Sequence, residues 1–492
     1  MTDFAPTGEQ QQALDLFATG RPLVIEAGAG TGKTSTLELL ARSTPRTGCY
    51  VAFNKSIAVE ARQRFPLTVA SSTMHSLAYR ALADRLNIEA RLKQAKRTPS
   101  WKIARALDVD YLTVDVTEPV ARTKMLQPQT LGGHLVRALR LFCESGDLEP
   151  DPAHFPYLPG IDGHDAEGRR LWDNNRAVAA ELMPALRRAW RDVQDPDGYR
   201  MRFDHSHYLK VWQLGRPQLP GSFVLFDEAQ DANGVMLAVL AAQDAKQMIY
   251  VGDSQQQIYE WRGAINALDR LAGERAWLTE SFRFGQPIAD VANAILAKLE
   301  SPLRLTGSGG PSTVGAVDGP RAVLCRTNAT ALNVMLDEQR RGRAVCLVGG
   351  AREILDFVWS AAKLKDGKAA THPDLAGFDS WREVQAYVKA DPAGGDLKML
   401  VDLVDNYGAD IIETALEGSV AEEAADVVVS TAHKAKGREW PTVRLAGDFT
   451  PPPNREQLSP AEYRLLYVAA TRARERLDVT GCAPVHDLIE AA

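Results

Sequence analysis

The chain has 492 residues, of which 45% are hydrophobic and 24% charged, and its formal net charge is -6. At roughly 100 to 200 residues per domain, that length predicts three or four folding units with cores of ordinary size. The acidic balance excludes a general attraction to nucleic acid, so a polyanion would need a local basic or aromatic patch.

Short apolar runs alternate with helical patterns along the chain. The first half carries LVIEA (23–27), GCYVAF (48–53), TVASS (68–72), SFVLFDE (222–228) and KQMIYVGD (246–253). The second carries RAVLCR (321–326), RAVCLVGG (343–350), DVVVSTAH (426–433), PTVRLAGD (441–448) and ERLDVTG (475–481). This alternation predicts two parallel α/β sheets. Residues 86–204 and 351–424 have helical spacing instead and read as one mostly helical insertion in each core, while GSGGPSTVGAVDGP (307–320) reads as a surface loop. The expected division is a first core over 1–85 and 205–275, and a second over 276–350 and 425–492.

The five cysteines are odd in number and have no CxxC spacing, against a zinc module, an iron-sulfur cluster or a disulfide framework. No run of about eighteen apolar residues occurs, and MTDFAPTGEQ lacks a basic region followed by an apolar stretch. A reduced cytoplasm without membrane contact is the expectation.

EAGAGTGKTSTL (26–37) sits between the strand LVI and a helical run. Backbone N–H groups of such a turn and the positive end of the following helix converge on a phosphate. The cradle would comprise Ala27, Gly28, Ala29, Gly30, Thr31 and Gly32, with Lys33 on the β/γ-phosphates and the Thr34 hydroxyl on Mg²⁺. The strict pattern begins with Gly where this chain has Ala27. VLFDEAQD (224–231) adds a carboxylate for the metal, Asp227, and one to orient or deprotonate water, Glu228. An acidic strand end alone is often only a cap; beside a lysine loop it reads as a hydrolysis site. His205 and His207 in FDHSHYLKVW are polar residues at a boundary rather than a metal pair.

These segments, with FNKSIAVEARQRF, STMHSLAYRAL, VGDSQQQIYEWRGA, LTESFR, VLCRTNA, STAHKAKGREW and YRLLYVAATRARERL, resemble in order the UvrD/Rep/PcrA-type DNA helicases of superfamily 1A. The texture is most similar to the helicase core of F-box DNA helicases and related bacterial or phage proteins. The resemblance implies two RecA-like P-loop domains with ATP and Mg²⁺ between them. It places Gln10 on the adenine edge, Gln256 on the γ-phosphate, Arg283 and Arg472 on the transferring phosphoryl group, and Glu439 near the ribose. Both arginines are expected from the second core. Tyr259 and Trp261 would stack unpaired bases, with Arg262 beside them. Asn54, Lys55, Thr73, His75, Thr431 and His433 match positions on the DNA backbone.

The chain departs from the pattern at Ser35, where many relatives carry an arginine touching base and sugar, and at Phe282, where a tyrosine often stacks on adenine. Phe53 directly precedes Asn54, one residue later than the usual aromatic. The second insertion is short, and neither a nuclease nor an F-box is expected.

The activity implied is a 3′-to-5′ translocase on single-stranded DNA that opens duplex at single/double-strand junctions, monomeric and nucleoid-associated, serving repair or recombination. Alternatives are a motor that strips proteins from DNA with weak unwinding, an ATP-sensing subunit of a nuclease-containing complex, and a P-loop ATPase without a nucleic acid partner.

Overall fold

A computed structural model describes residues 5–94, 100–116, 121–163, 169–258, 268, 271–349, 352–372, 374–390, 395–451 and 457–490. The apolar runs of the first half become strands β1 (Leu23–Ala27), β2 (Gly48–Ala52) and β3 (Val69–Thr73), followed by a hairpin of β4 (Leu112–Val116) and β5 (Arg122–Leu126). Strands β6 (Phe223–Phe226), β7 (Gln247–Gly252) and β8 (Glu274–Leu278) complete the first core. Its six-stranded sheet has the order β3-β2-β6-β7-β1-β8, all parallel. Strands β1, β2, β6 and β7 are buried at every residue, as continuous apolar runs must be when both faces of a parallel sheet are covered.

Strand β8 corrects the expected boundary at 275. Leu23 to Ala27 pair with Glu274 to Leu278, so the first sheet extends three residues further. The hairpin adds two strands to the insertion read as mostly helical over 86–204. Its strands pair antiparallel, Leu112 with Leu126 through Val116 with Arg122, and bury Val114, Val116, Lys124 and Leu126 on one face.

Strands β9 (Glu280–Ser281) and β10 (Thr306–Gly307) pair with each other between the cores. Strands β11 (Thr313–Val314), β12 (Ala322–Cys325), β13 (Val345–Leu347), β14 (Val427–Thr431), β15 (Trp440–Leu445) and β16 (Ala473–Asp478) form the second parallel sheet, order β11-β16-β15-β12-β14-β13. Thr313 and Val314 thus give the stretch expected as loop an edge strand against β16. The helix Pro460–Ala470 beneath this sheet is almost wholly enclosed: Leu466, Tyr467, Val468, Ala469 and Ala470 have no exposed surface. A helix apolar all round belongs inside a core.

The two insertions meet each other. Lys124 Nζ lies 2.7 Å from Glu383 Oε1 and donates to the Gly160 carbonyl at 3.1 Å. Arg122 reaches the same carboxylate at 2.8 Å, and Thr130 donates to the Ala376 carbonyl at 2.8 Å. Among the described residues, no helix is long and apolar enough to cross a membrane.

Candidate active site

After Ala27 the chain turns through Gly28 to Gly32 into the helix Lys33–Arg42. Gly30 and Gly32 have φ of +76° and +79°, where a side chain is strained. At Gly30 a Cβ would also lie 2.6 Å from both Arg283 Cβ and Ser281 Oγ. The Thr31 hydroxyl donates to the Gly28 carbonyl at 2.9 Å, which closes the turn. The loop thereby aims backbone N–H groups and a helix N-terminus at one point, a geometry that fits a phosphate.

The carboxylates follow β6. Asp227 Oδ2 accepts from Thr34 Oγ1 at 3.0 Å and from Tyr50 Oη at 2.7 Å. Glu228 holds a left-handed φ of 54°, a cost that bulky side chains meet mostly at functional sites. Its Oε2 accepts from the Gln230 amide at 2.5 Å. Burial, then the adjoining Glu228, raises the Asp227 carboxyl above the usual range. For Glu228 burial acts in the same direction, but Lys33, Lys436, the Gln230 amide and Arg472 outweigh it, so this carboxyl is lowered. The two adjoining carboxyls are thus pushed apart, Asp227 upward and Glu228 downward. Thr34 and Asp227 supply two oxygens suited to a hard divalent cation that keeps several waters.

The opposite wall comes from the second core. Arg472 is 2% exposed; its Nη2 donates to Gln256 Oε1 at 3.3 Å and its Nε to the Val468 carbonyl at 2.8 Å. Burial, then the neighbouring Arg283, disfavours its charge, so an anion entering between the two guanidiniums would be strongly welcome. Arg283 stands just past β9, in the segment that joins the two sheets, and the preceding Phe282 N–H donates to the Gly30 carbonyl at 2.9 Å. Its side chain crosses the gap, with Nε on Glu439 at 2.8 Å and Nη1 on the Thr471 carbonyl at 3.0 Å.

Gln10 caps the first helix through Thr7, and its Nε2 donates to Thr36 Oγ1 at 3.2 Å, beside the end of the loop. Phe282 is half-exposed along the same cleft, a space of about 880 Å³. Ser35 also lines it, and its hydroxyl accepts from Arg64 Nη2 at 3.2 Å. A guanidinium thus approaches the place where the sequence lacks one. Phe53, half-exposed, also edges this cleft.

The expected DNA contacts are more dispersed. Asn54 also edges the cleft, and its side chain accepts from the Ile57 N–H at 2.9 Å, capping the helix Lys55–Arg64. Lys55 is exposed. Thr73 caps the next helix through Ser76. His75 is tucked edge-on to Tyr208, and burial, then His205, lowers its pKa, so it is a neutral side chain at pH 7. Thr431 is buried at the end of β14, with His433 partly exposed after it. His207 accepts from the Asp204 N–H at 3.1 Å as part of a helix cap, and His205 meets the Tyr208 hydroxyl at 3.0 Å. Tyr259, Trp261 and Arg262 lie outside the described residues.

Sequence reasoning passed over Lys436 and Asp231, which join the cores at 2.6 Å, Lys436 also donating to the Gln256 carbonyl at 2.7 Å. Both stand inside segments already singled out, KGREW and DEAQD; only docking of the cores reveals that they pair.

Residues 7–270 match the model of the UvrD/REP helicase N-terminal domain, and residues 426–480 that of the UvrD-like helicase C-terminal domain. The chain is 28% identical to F-box DNA helicase protein 1 of Schizosaccharomyces pombe over 96% of its own length and 57% of that protein. It is 30% identical to F-box DNA helicase 1 of Gallus gallus over 96% of its length and 48% of that protein. ATP-dependent DNA helicase PcrA of Leuconostoc citreum is 26% identical over 58% of this chain and 38% of that protein. The chain therefore spans about half the length of the F-box relatives it matches. With more than half its residues under one family model and the second core under another, the chain belongs to the UvrD/REP helicase family.

Proposed function

We propose that the chain is an ATP-driven DNA helicase that moves 3′ to 5′ along single-stranded DNA and opens duplex at single/double-strand junctions, acting as a monomer on cytoplasmic, nucleoid DNA. One observation carries this reading. The phosphate cradle and both carboxylates of the first core face Arg472 of the second, and Gln256, bonded to Arg472, lies three residues before Tyr259. A change at the terminal phosphate is thereby linked to a segment holding two aromatic rings and an arginine, suited to stacking unpaired bases.

In this reading the loop N–H groups and Lys33 hold the β/γ-phosphates, and Gln10 and Phe282 orient the base. Thr34 and Asp227 would hold Mg²⁺, which when bound supplies positive charge to the phosphate oxygens. Glu228 takes the proton of the attacking water. Arg283 and Arg472 neutralise charge that develops on the transferred phosphoryl group, and a planar guanidinium is matched to its oxygens. Arg472 comes from the other core, so occupancy draws the cleft closed and hydrolysis releases it. Polarity follows the family likeness: relatives of opposite polarity carry a proline-rich GDxxQLPP where this chain has GDSQQQIYEWRGA.

The test is ATP hydrolysis with and without single-stranded DNA for the native chain, Lys33→Ala and Trp261→Ala. DNA should stimulate the native chain, Lys33→Ala should abolish turnover, and Trp261→Ala should weaken the response to DNA. Turnover indifferent to DNA in the native chain would sink the motor reading.

A further inference from the structure

The helix that leads into Arg472 touches the phosphate loop at a second point, through a residue to which nothing above gives a role. Tyr467, fully buried, accepts a hydrogen bond from the Ala29 N–H at 3.1 Å. Its hydroxyl donates in turn to Asp253 Oδ2, also at 3.1 Å. The same carboxylate oxygen accepts from Gln256 Nε2 at 2.7 Å, and Gln256 Oε1 accepts from Arg472. Asp253 is itself fixed, its N–H donating to Gln230 Oε1 at 3.0 Å while Gln230 bonds Glu228. Four groups that would meet a nucleotide, namely the loop, Gln256, Arg472 and Glu228, are thus wired through one phenol and one carboxylate.

From this circuit the geometry points to Tyr467 as a positioning residue that fixes how far Arg472 stands from the phosphate loop and couples loop, Gln256 and arginine as one unit. The inference rests on the motor reading above for its kinetic consequence, though not for the contact itself. Tyr467 sits five residues before Arg472 at the end of a rigid, buried helix, so holding its hydroxyl against Ala29 sets the depth at which the guanidinium enters the cleft. The hydroxyl has one donor, which Asp253 takes, and it accepts the N–H of the buried Ala29. Burial, then the Asp253 carboxylate, raises the phenol pKa, which keeps the donor present at any working pH. A phenylalanine would pack as well and could do neither job. Tyr467 need not touch the nucleotide to act: buried interfaces tolerate two discrete arrangements better than a continuum.

The test uses Tyr467→Phe in the full chain with two readouts. Hydrogen exchange of the loop peptide containing Ala29, without nucleotide, reads the contact directly: exchange at Ala29 should accelerate while peptides from β1 and β7 stay unchanged. DNA-stimulated hydrolysis reads the consequence: kcat should fall by roughly tenfold, the scale of one buried hydrogen bond lost at the reacting geometry, with KM for ATP within about twofold. A purely structural role would lower the melting temperature and leave kcat of the folded fraction intact. Unchanged exchange at Ala29, or a loss that falls on KM alone, overturns the assignment. A native chain indifferent to DNA fails the motor reading instead, and the exchange measurement then decides the Tyr467 contact alone.

Discussion

Where the two helical insertions meet, each charge faces its opposite: Lys124, with 2% of its side chain exposed, bonds Glu383, and Arg122 shares that carboxylate. Where the two cores meet, the balance differs. Arg283 lies close enough to disfavour the charge on Arg472, and the nearest carboxylates include one, Glu228, kept ionised by three cations. The contact between insertions is complete without a ligand and resists change. The cleft between cores gains most when an anion arrives. Motion driven by a nucleotide should therefore appear first between the cores, with the insertions carried as a pair.

Removing the cleft's charge makes the sharpest break in this comparison. Arg472→Ala should lower DNA-stimulated kcat by about 10³-fold or more, the usual worth of an arginine on a transferring phosphoryl group. Binding of a nucleotide analogue should weaken far less, as equilibrium titration would show. Glu228→Gln should follow, with kcat down by roughly 10² to 10⁴-fold and nucleotide affinity retained. Equal losses in binding and turnover for either variant would mean that the cleft is held together by these residues rather than poised for a ligand.

At the clasp between insertions the order of effects should reverse. Lys124→Met leaves Glu383 half-served by Arg122 and should cost about 3 kcal/mol of stability, the lower end for breaking a buried pair. Turnover without DNA should stay within about twofold of native. A denaturant titration and an ATPase assay on the same sample check both. If turnover falls with stability, the insertions are not a separate unit.

Much of this was legible because the chemistry is local. The phosphate loop needs glycines at Gly30 and Gly32 and a helix directly after them, all within one segment. Ten strands announced themselves as apolar runs, and β1, β2, β6, β7, β12 and β14 are buried at every residue. Strand β8 did not: ERAWL lies at the sheet's edge and buries only alternate residues, so its charges mask it. The hairpin β4–β5 was hidden in the same way, by Thr113, Asp115 and Thr123 on its open face and by Arg122 and Lys124 within its strands. In the site, the residues that escaped are those whose partners lie across the cleft. Tyr467 reads as core packing, and Lys436 as one more lysine, until the second sheet is docked on the first.

The smallest effect concerns the ion pair that bridges the cores. Burial, more than Lys436 can offset, raises the Asp231 carboxyl to about 6. Its pKa is then higher folded than unfolded, where a carboxylate titrates near about 3.9. The folded chain consequently binds this proton more tightly, and the group's stabilising contribution, full below about 4, is lost as pH rises to about 6 and is level above. Asp231→Asn has no such proton. The stability of the native chain relative to Asp231→Asn should therefore be about 1 kcal/mol or more less favourable at pH 7.5 than at pH 5, measured by urea titration of both proteins. The bridging attraction to Lys436 has the opposite pH course, since it exists only once Asp231 is ionised. Below about pH 6 the cores lose that link. A native-minus-variant difference that is flat across this range would show that Asp231 stays ionised throughout, and that the cleft is as charge-saturated as the clasp.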